Sequence, residues 1–219
     1  MAALKSEYGP TLVGLLAPRR LAVRVAAAAI ALAIVLAAAV IAVTSRPDET
    51  LVLIRKPVTL NFIYGPQFQP VRQPGTIVAL RHASAGGLFL DAYAIRPLTL
   101  PPYRGAAGGM LPVYADAYMR TLPRRYPGYE FIGEGRARIN NAIGYEVTFR
   151  ARRGTRRLYE RHYLLVAEEP DGLRRGVVLE IESTPAAGTP NADEIGNHGA
   201  LKTPLRSFRF GEDRKGGTS

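Results

Sequence analysis

Hydrophobic residues are distributed along this chain in two ways, first as one continuous run and then in alternation with polar residues. Residues 25–45 contain no charged side chain and include ten alanines and nine valine, leucine or isoleucine residues. As a helix rising about 1.5 Å per residue, the run spans roughly 31 Å, close to the thickness of the hydrocarbon core of a bilayer. Helices in soluble proteins rarely stay uncharged on every face over such a length. We therefore predict that residues 25–45 form a transmembrane helix.

The charges that flank this run predict its orientation. Residues 1–24 carry four basic side chains and one acidic side chain, whereas Arg46 is soon followed by Asp48 and Glu49. The positive-inside rule then leaves residues 1–24 in the cytoplasm and places residues 46–219 outside, as a single-pass protein of the plasma membrane. A cleaved signal peptide is the alternative, although the apolar region of such a peptide is normally about 7–15 residues long.

Apolar and polar positions alternate in the first part of the remaining chain. The stretch Leu51–Tyr64 predicts one strand with an edge or bulge position at Pro57. Thr76–Arg81 and Leu88–Ile95 predict two further strands, and Pro97, Pro101 and Pro102 are expected to end this part of the sheet. The first part of the domain is therefore expected to be extended.

One amphipathic helix follows these strands. From Leu111 to Leu122, apolar residues recur at positions i, i+3, i+4, i+7, i+8 and i+11, which gives a continuous apolar stripe along one side of a helix. Pro112 suits a first helical turn, and Pro123 closes the run. A stripe of this kind predicts a helix that packs on a sheet.

Three turns divide the following stretch into four consecutive antiparallel strands. The turns are predicted at Asn140-Asn141, at residues 152–155 and at residues 170–172. In the last strand, from Val177 to Glu182, one set of alternate positions is apolar and the other contains glutamates, which predicts one buried face and one wetter face. The elements together predict an α+β fold, in which an antiparallel sheet is packed by one or two helices.

This order of elements resembles the PsbP/LpqN/Mog1-like α/β/α domain. The likeness rests on Gly135–Phe149 (GRARINNAIGYEVTF), on the charged hairpin after it, on the strand Val177–Ile181 and on Leu205–Phe210 (LRSFRF). Members of that group are often exported bacterial proteins that are tethered to the membrane, so the resemblance implies an exported domain. Because the members bind varied partners, the resemblance implies no specific function and no functional residue. Because the chain has no cysteine for a lipid anchor, the tether here would be the helix at residues 25–45.

The charge of the chain is concentrated beyond the apolar run. The formal net charge is +11, and residues 46–219 contribute 25 basic and 17 acidic side chains to it. Five arginines surround the second predicted turn and form a candidate anion-binding patch: Arg150, Arg152, Arg153, Arg156 and Arg157. Such a patch attracts anionic lipid headgroups or an acidic cell-envelope polymer. The alternative is that these arginines only keep the domain soluble.

The expected partners follow from this location and charge. The lipid bilayer is one partner, an anionic lipid or envelope polymer is a second, and a protein is a further candidate. Nucleic acid is not expected, because the patch would lie outside the cytoplasm and has few aromatic residues for base stacking.

Residues with catalytic chemistry are sparse. The absence of cysteine excludes disulfides, thiolate nucleophiles and cysteine-ligated metals. His82, His162 and His198 stand apart in the sequence without the spacing of a zinc site, so no metal or cofactor is expected. His162 shares one face of a strand with Glu160, but no nucleophile motif such as G-x-S-x-G accompanies them.

The leading interpretation is therefore a non-catalytic extracytoplasmic binding or envelope-scaffold domain on a single-pass membrane anchor. Two alternatives remain open. One is an envelope-associated hydrolase that uses His162 or His198 with an aspartate or glutamate. The other is a structural subunit that pairs through its transmembrane helix.

Overall fold

The computed structural model describes residues 49–100, 105, 107–168 and 174–212. The predicted cytoplasmic segment, the predicted transmembrane helix at residues 25–45 and the predicted turn at residues 170–172 lie outside these residues. Within the described ranges, no helix is both long enough and apolar enough to span a bilayer.

Ten strands and three α-helices make up the described part of the chain. The strands are β1 (Thr50–Ile54), β2 (Leu60–Tyr64), β3 (Phe68–Pro70), β4 (Val78–Ala83), β5 (Phe89–Thr99), β6 (Glu130–Ile139), β7 (Ala142–Arg153), β8 (Arg156–Glu168), β9 (Arg174–Ser183) and β10 (Arg209–Phe210). The helices are α1 (Ala107–Met119), α2 (Leu122–Arg125) and α3 (Lys202–Ser207), and two 3₁₀ turns span Pro185–Ala187 and Ala192–Glu194. The predicted run of consecutive antiparallel strands is confirmed as β6, β7, β8 and β9.

Two antiparallel sheets form, where the sequence predicted one. The large sheet has the strand order β3-β4-β5-β9-β8-β7-β6, and the small sheet has the order β1-β2-β10. The predicted single strand Leu51–Tyr64 is in fact a hairpin, in which Thr50 pairs with Tyr64 and Ile54 pairs with Leu60. Pro57 lies in the turn of this hairpin, because proline suits a turn better than the ladder of a strand.

The large sheet separates two layers of hydrophobic core. On one face, α1 and α2 cover a cluster that includes Leu111, Leu122, Phe149 and Leu164. On the other face, the small sheet and the C-terminal segment cover a larger cluster centred on Tyr93. The α+β class is confirmed, and the sheet is packed on both sides.

Three prolines act differently from the prediction. Pro112 lies inside α1, which begins five residues earlier at Ala107, and not in its first turn. The strand β5 continues through Pro97 to Thr99. Beyond Ile95, β5 pairs with β9 alone, because β4 begins at Val78 opposite Ile95, and proline is tolerated where a strand has one partner. The helix α1 ends at Met119, and Pro123 lies inside the short helix α2 instead of closing the first helix.

Candidate functional site

A buried polar cluster lies on the side of the large sheet that α1 and α2 cover. Glu160 and His162 project from β8, and Glu180 and Glu182 project from the neighbouring strand β9. The register places Glu160 opposite Glu182 and His162 opposite Glu180. The exposed fractions are 2% for Glu160, 0% for His162 and 7% for Glu180. We call these four residues the Glu/His cluster.

The Glu/His cluster overturns one prediction for β9. The face that carries Val178 and Glu180 was expected to be the wetter one, yet both residues are buried and Glu182 is half-buried. On the adjoining strand β5, Ala94 lies opposite Glu180 and Ala92 lies opposite Glu182. These small side chains leave space on the sheet for the longer charged groups.

Three arginines neutralise the carboxylates of β9. The Nε atom of Arg96 lies 2.9 Å from Glu180 Oε2, and Arg125 Nη2 lies 3.0 Å from Glu180 Oε1. Arg153 Nη2 lies 2.9 Å from Glu182. Burial acts to raise the pKa of Glu180, but His162, Arg96 and Arg125 together outweigh it and hold this pKa below its usual range.

Glu160 has no such arginine partner. Its Oε1 atom is buried and accepts no hydrogen bond within the part of the chain that the structure describes. Its Oε2 atom lies 3.4 Å from His162 Nε2. Burial, followed by the charges of Glu182 and Glu180, raises the pKa of Glu160 well above its usual range. Burial also raises the pKa of Glu182. The Glu/His cluster therefore holds protons that exposed carboxylates would release.

His162 connects the carboxylates to two tyrosines. The hydroxyl of Tyr118 lies 2.7 Å from His162 Nδ1, and that of Tyr126 lies 3.4 Å from Nε2. The ring of Phe149 packs edge-on against the imidazole, with 4.9 Å between the ring centroids. Burial lowers the pKa of His162 to about 4. A neutral imidazole that accepts a hydrogen bond from the Tyr118 hydroxyl at Nδ1 and donates one from Nε2 satisfies these contacts, and this tautomer is inferred from them.

Both tyrosines keep their protons. Burial raises the pKa of Tyr118 and of Tyr126, and nearby glutamates add to the shift. A protonated tyrosine hydroxyl is a poor nucleophile. The cluster has the groups to hold and share protons, but no activated nucleophile lies among its described members.

The lowered pKa of His162 predicts a specific pH dependence of stability. Between pH 6.5 and about 4, the unfolded chain binds a proton at this histidine and the folded chain does not, so the contribution of His162 to the free energy of unfolding falls as the pH falls. A shift of this size corresponds to about 3 kcal/mol across that interval. We expect His162→Gln to remove this contribution, measured as the difference between wild-type and variant in denaturant unfolding at a series of pH values.

The variant His198→Gln is the matched control for this measurement. His198 is two-thirds exposed and pairs with Glu194 within the same loop, so its replacement removes a histidine and leaves the Glu/His cluster intact. A pH slope that is the same in His162→Gln and in the wild type would contradict the buried neutral imidazole.

Two of the five predicted arginines form ion pairs with carboxylates of other strands. Arg150 pairs with Glu130 of β6, at 2.9 Å between Nη1 and Oε1. Arg153 pairs with Glu182, and its guanidinium carbon lies 4.7 Å from the ring centroid of Phe89. The structure therefore incorporates two of the five into ion pairs of the fold.

The other three arginines lie at the end of the β7–β8 hairpin. Arg152 is opposite Arg157, and Arg156 is opposite Arg153 across the Gly154-Thr155 turn. Arg152, Arg156 and Arg157 are exposed, and none of them forms an ion pair with a carboxylate of the described residues. We call these three residues the arginine tip.

A second polar network lies on the opposite face of the large sheet. Asp91 Oδ2 lies 2.8 Å from His82 Nδ1, and Ser183 Oγ donates to Asp91 Oδ1 at 2.7 Å. Ser183 Oγ also lies 2.7 Å from Thr189 Oγ1. The aspartate stands between the serine and the histidine, so the histidine has no contact through which to activate the serine, as a Ser-His-Asp triad requires. The network ties the segment after β9 to the sheet.

Metal-binding side chains do not converge in the described ranges of the chain. No group of three histidine, cysteine, aspartate or glutamate residues there is arranged to hold a metal ion. The three histidines lie in separate environments, with His82 beside Asp91, His162 in the Glu/His cluster and His198 in an exposed loop.

Comparison with solved structures identifies proteins with a similar fold. The domain is similar to cyanobacterial PsbP (CyanoP) from Synechocystis sp. PCC 6803, with a TM-score of 0.50, 13% identity, and coverage of 74% of this chain and 92% of that one. The domain has a PsbP-like fold. The resemblance seen in the sequence is thereby confirmed at the level of fold.

Other comparisons are weaker. LpqN of Mycobacterium tuberculosis, a protein involved in cell envelope biogenesis, aligns with a TM-score of 0.48 and 12% identity over 76% of this chain and 92% of its own. No protein-family model matches the chain, and no curated protein is similar to it in sequence. A PsbP-like fold does not transfer a function by itself, so the function has to be argued from sites.

Proposed function

We propose that this protein is a single-pass membrane protein whose extracytoplasmic PsbP-like domain binds an anionic partner without catalysis. Residues 25–45 would cross the membrane with residues 1–24 in the cytoplasm, because the charges that flank the run favour that orientation. The observation that carries the binding role is the arginine tip, three exposed guanidinium groups at the end of one hairpin. Anionic groups of an envelope polymer or of a lipid headgroup are the ligands that such a tip recognises.

Several features of the tip support a binding role over a purely solubilising one. The tip lies at the end of two long strands that each have a neighbouring strand on both sides, so it is presented on a rigid support. The neighbouring carboxylates Glu130 and Glu182 are paired with Arg150 and Arg153, which leaves the charge of the tip without an ion-pair partner among the described residues. Guanidinium groups can each make two hydrogen bonds to one phosphate or carboxylate.

Neutralising the arginine tip is expected to weaken anion binding about tenfold at low ionic strength. The variant replaces Arg152, Arg156 and Arg157 by glutamine, and exposed charges of this kind contribute about 0.2–1 kcal/mol each. Binding of the detergent-solubilised full chain is measured against dextran sulfate, as a polymer probe, and against phosphatidylglycerol vesicles, as a headgroup probe. Wild-type binding should weaken as salt is added.

The control for this variant carries the same change in charge elsewhere. Arg72, Arg136 and Arg138 are exposed and lie outside the β7–β8 hairpin, so their replacement by glutamine leaves the arginine tip intact. Equal losses in both triple variants would mean that only net charge matters, and the proposed binding site would then be rejected. Binding to one probe alone identifies the source of the anion.

A hydrolase at the Glu/His cluster is a second candidate function, favoured by one observation. A histidine, a carboxylate and two tyrosine hydroxyls meet there, with Tyr118 at 2.7 Å and Glu160 and Tyr126 at 3.4 Å from the imidazole nitrogens. Against it, His162 and Glu160 are almost completely buried, so a substrate reaches them only if α1 and α2 move. The non-catalytic function therefore agrees better with the geometry.

A further inference from the structure

The strand β1 carries an apolar patch on its outer surface. Leu51 and Leu53 are 43% and 41% exposed, and they lie on the same side of β1 because they are two residues apart. Leu51 pairs across the strands with Ile63 of β2, which is half-buried. Val52 and Ile54, on the opposite side of β1, pack against the core. We call Leu51, Leu53 and Ile63 the β1 patch.

The β1 patch is close in the chain to the predicted membrane anchor. The apolar run ends at Ser45, and Leu51 follows six residues later. An extended chain reaches at most about 3.6 Å per residue, so Leu51 would lie within roughly 22 Å of the edge of the hydrocarbon core if residues 25–45 cross the membrane as proposed. The headgroup region on each side of a bilayer is about 5–7 Å thick. Such a tether would keep the patch near the membrane surface whenever it is less than fully stretched.

We propose that the β1 patch docks on the outer surface of the bilayer, with Leu51 and Leu53 inserted among the lipid headgroups. The proposal rests on the membrane anchoring of the proposed function. Transfer of leucine side chains from water to this interface is favourable, and a short tether raises the effective concentration of the patch at the membrane. Arg55 and Lys56 follow β1 directly and are exposed, so their charged groups can bind lipid phosphates. Arg55 is also 3.1 Å from Glu212, so the leucines supply the main attraction.

The β1 patch is a different surface from the arginine tip. Val52 of β1 and Val78 of β4 line the same cavity of about 710 Å³. In the large sheet, Val78 pairs with Ile95 of β5, Ile95 pairs with Leu179 of β9, and Leu179 pairs with Tyr163 of β8. Val78 and Tyr163 therefore lie in the same row across the strands. Tyr163 is seven residues from Arg156, which corresponds to roughly 23 Å along the strand. Substitutions in the β1 patch and in the arginine tip can therefore be tested separately.

The experiment measures contact between the β1 patch and lipid directly. The chain contains no cysteine, so Leu51→Cys and Leu53→Cys each provide one labelling position in the full-length protein. Each variant is labelled with a fluorophore and reconstituted in phosphatidylcholine vesicles, with or without a nitroxide on the lipid acyl chain. The matched control is Phe131→Cys, because Phe131 is a 49% exposed hydrophobic residue on β6, away from β1.

Docking predicts that the lipid nitroxide quenches the labels at positions 51 and 53 several-fold more than the label at position 131. Aqueous iodide should show the opposite order. Equal lipid quenching at all three positions, in a protein that stays in the vesicles after alkaline washing, overturns the docking and leaves the anchor intact. Protection of positions 51 and 53 from both quenchers means that another part of the protein or a second copy covers the patch, which also overturns it. Loss of the protein from the vesicles instead rejects the anchor itself.

Discussion

Glu180→Ala is expected to lower the free energy of unfolding by about 4 kcal/mol. Glu180 is 7% exposed and accepts hydrogen bonds from both Arg96 and Arg125. Removing one member of a buried ion pair leaves the remaining charges without compensation, which typically costs about 3–5 kcal/mol. Arg125 is more than one-third exposed and recovers part of its hydration, so the main loss comes from Arg96. Denaturant unfolding followed by far-UV circular dichroism measures the change.

Glu182→Ala provides the comparison on the same face of the same strand. Among the described residues, Glu182 has one arginine partner, Arg153, whose side chain is 57% exposed. The freed arginine returns to water, so the expected loss is about 1 kcal/mol. A loss for Glu182→Ala as large as that for Glu180→Ala would show that the position of Glu180 between two arginines has no special importance. The double variant Glu180→Ala/Arg96→Ala should recover part of the stability if the unpaired arginine causes the loss.

Phe149→Ala is the other substitution with a large expected effect, again about 4 kcal/mol. The ring of Phe149 is fully buried and contacts the rings of Tyr126, Tyr129 and His162. Its removal leaves a cavity under α2 and costs both the transfer free energy of the ring and the contacts that surround it. Without the ring of Phe149, the imidazole of His162 is less completely buried. We therefore expect the pKa of this histidine to rise towards its usual range. Unfolding experiments measure the first effect, and NMR titration of the imidazole measures the second.

Phe131→Ala is the matched control for this prediction. Phe131 pairs directly with Phe149 across β6 and β7, but its side chain is 49% exposed. The same loss of a ring should therefore cost about 1 kcal/mol or less and leave the titration of His162 unchanged. Similar losses at both positions would indicate that β6 and β7 are not packed as described.

Much of the fold could be predicted because its causes are local. The Asn140-Asn141 turn and the alternation around Val147 were sufficient to predict the β6–β7 hairpin, and Asn140 adopts a positive φ of 52° in that turn. The helical stripe that starts at Leu111 likewise predicted α1. The split of Leu51–Tyr64 into two strands was missed, because a proline in an alternating stretch is equally typical of an edge strand and of a turn.

The candidate site was predicted less well. Glu160 and His162 were recognised as sharing one face of a strand, but Glu180 was assigned to a wetter face. A signal was present in the sequence: β9 has apolar residues on both faces, which is typical of a strand covered on both sides. Arg96 and Arg125 carried no local signal, since they approach Glu180 from β5 and from α2.

The arginines also show which features have local causes and which depend on tertiary contacts. Their sequence positions predicted five neighbouring charges, and the turn at Gly154 does bring them to one hairpin. Which of them are available to a ligand depended on carboxylates from β6 and β9, which are distant in sequence. Of these five arginines, Arg152, Arg156 and Arg157 remain outside ion pairs with the described residues. The binding surface proposed above is therefore smaller than the predicted patch.

By itself, the sequence determined the features whose causes lie within a few residues: the uncharged run at 25–45, the basic residues before it, the hairpin turns and the periodicity of each strand and helix. The tertiary structure alone decided which charged groups are buried, because burial depends on what packs over a residue and not on the residue itself. Glu180 and Arg152 are both charged strand residues. Glu180 is enclosed under α2 between two arginines, while Arg152 reaches solvent at a hairpin end. The same physical chemistry makes the first a structural ion pair and the second a candidate contact for a partner.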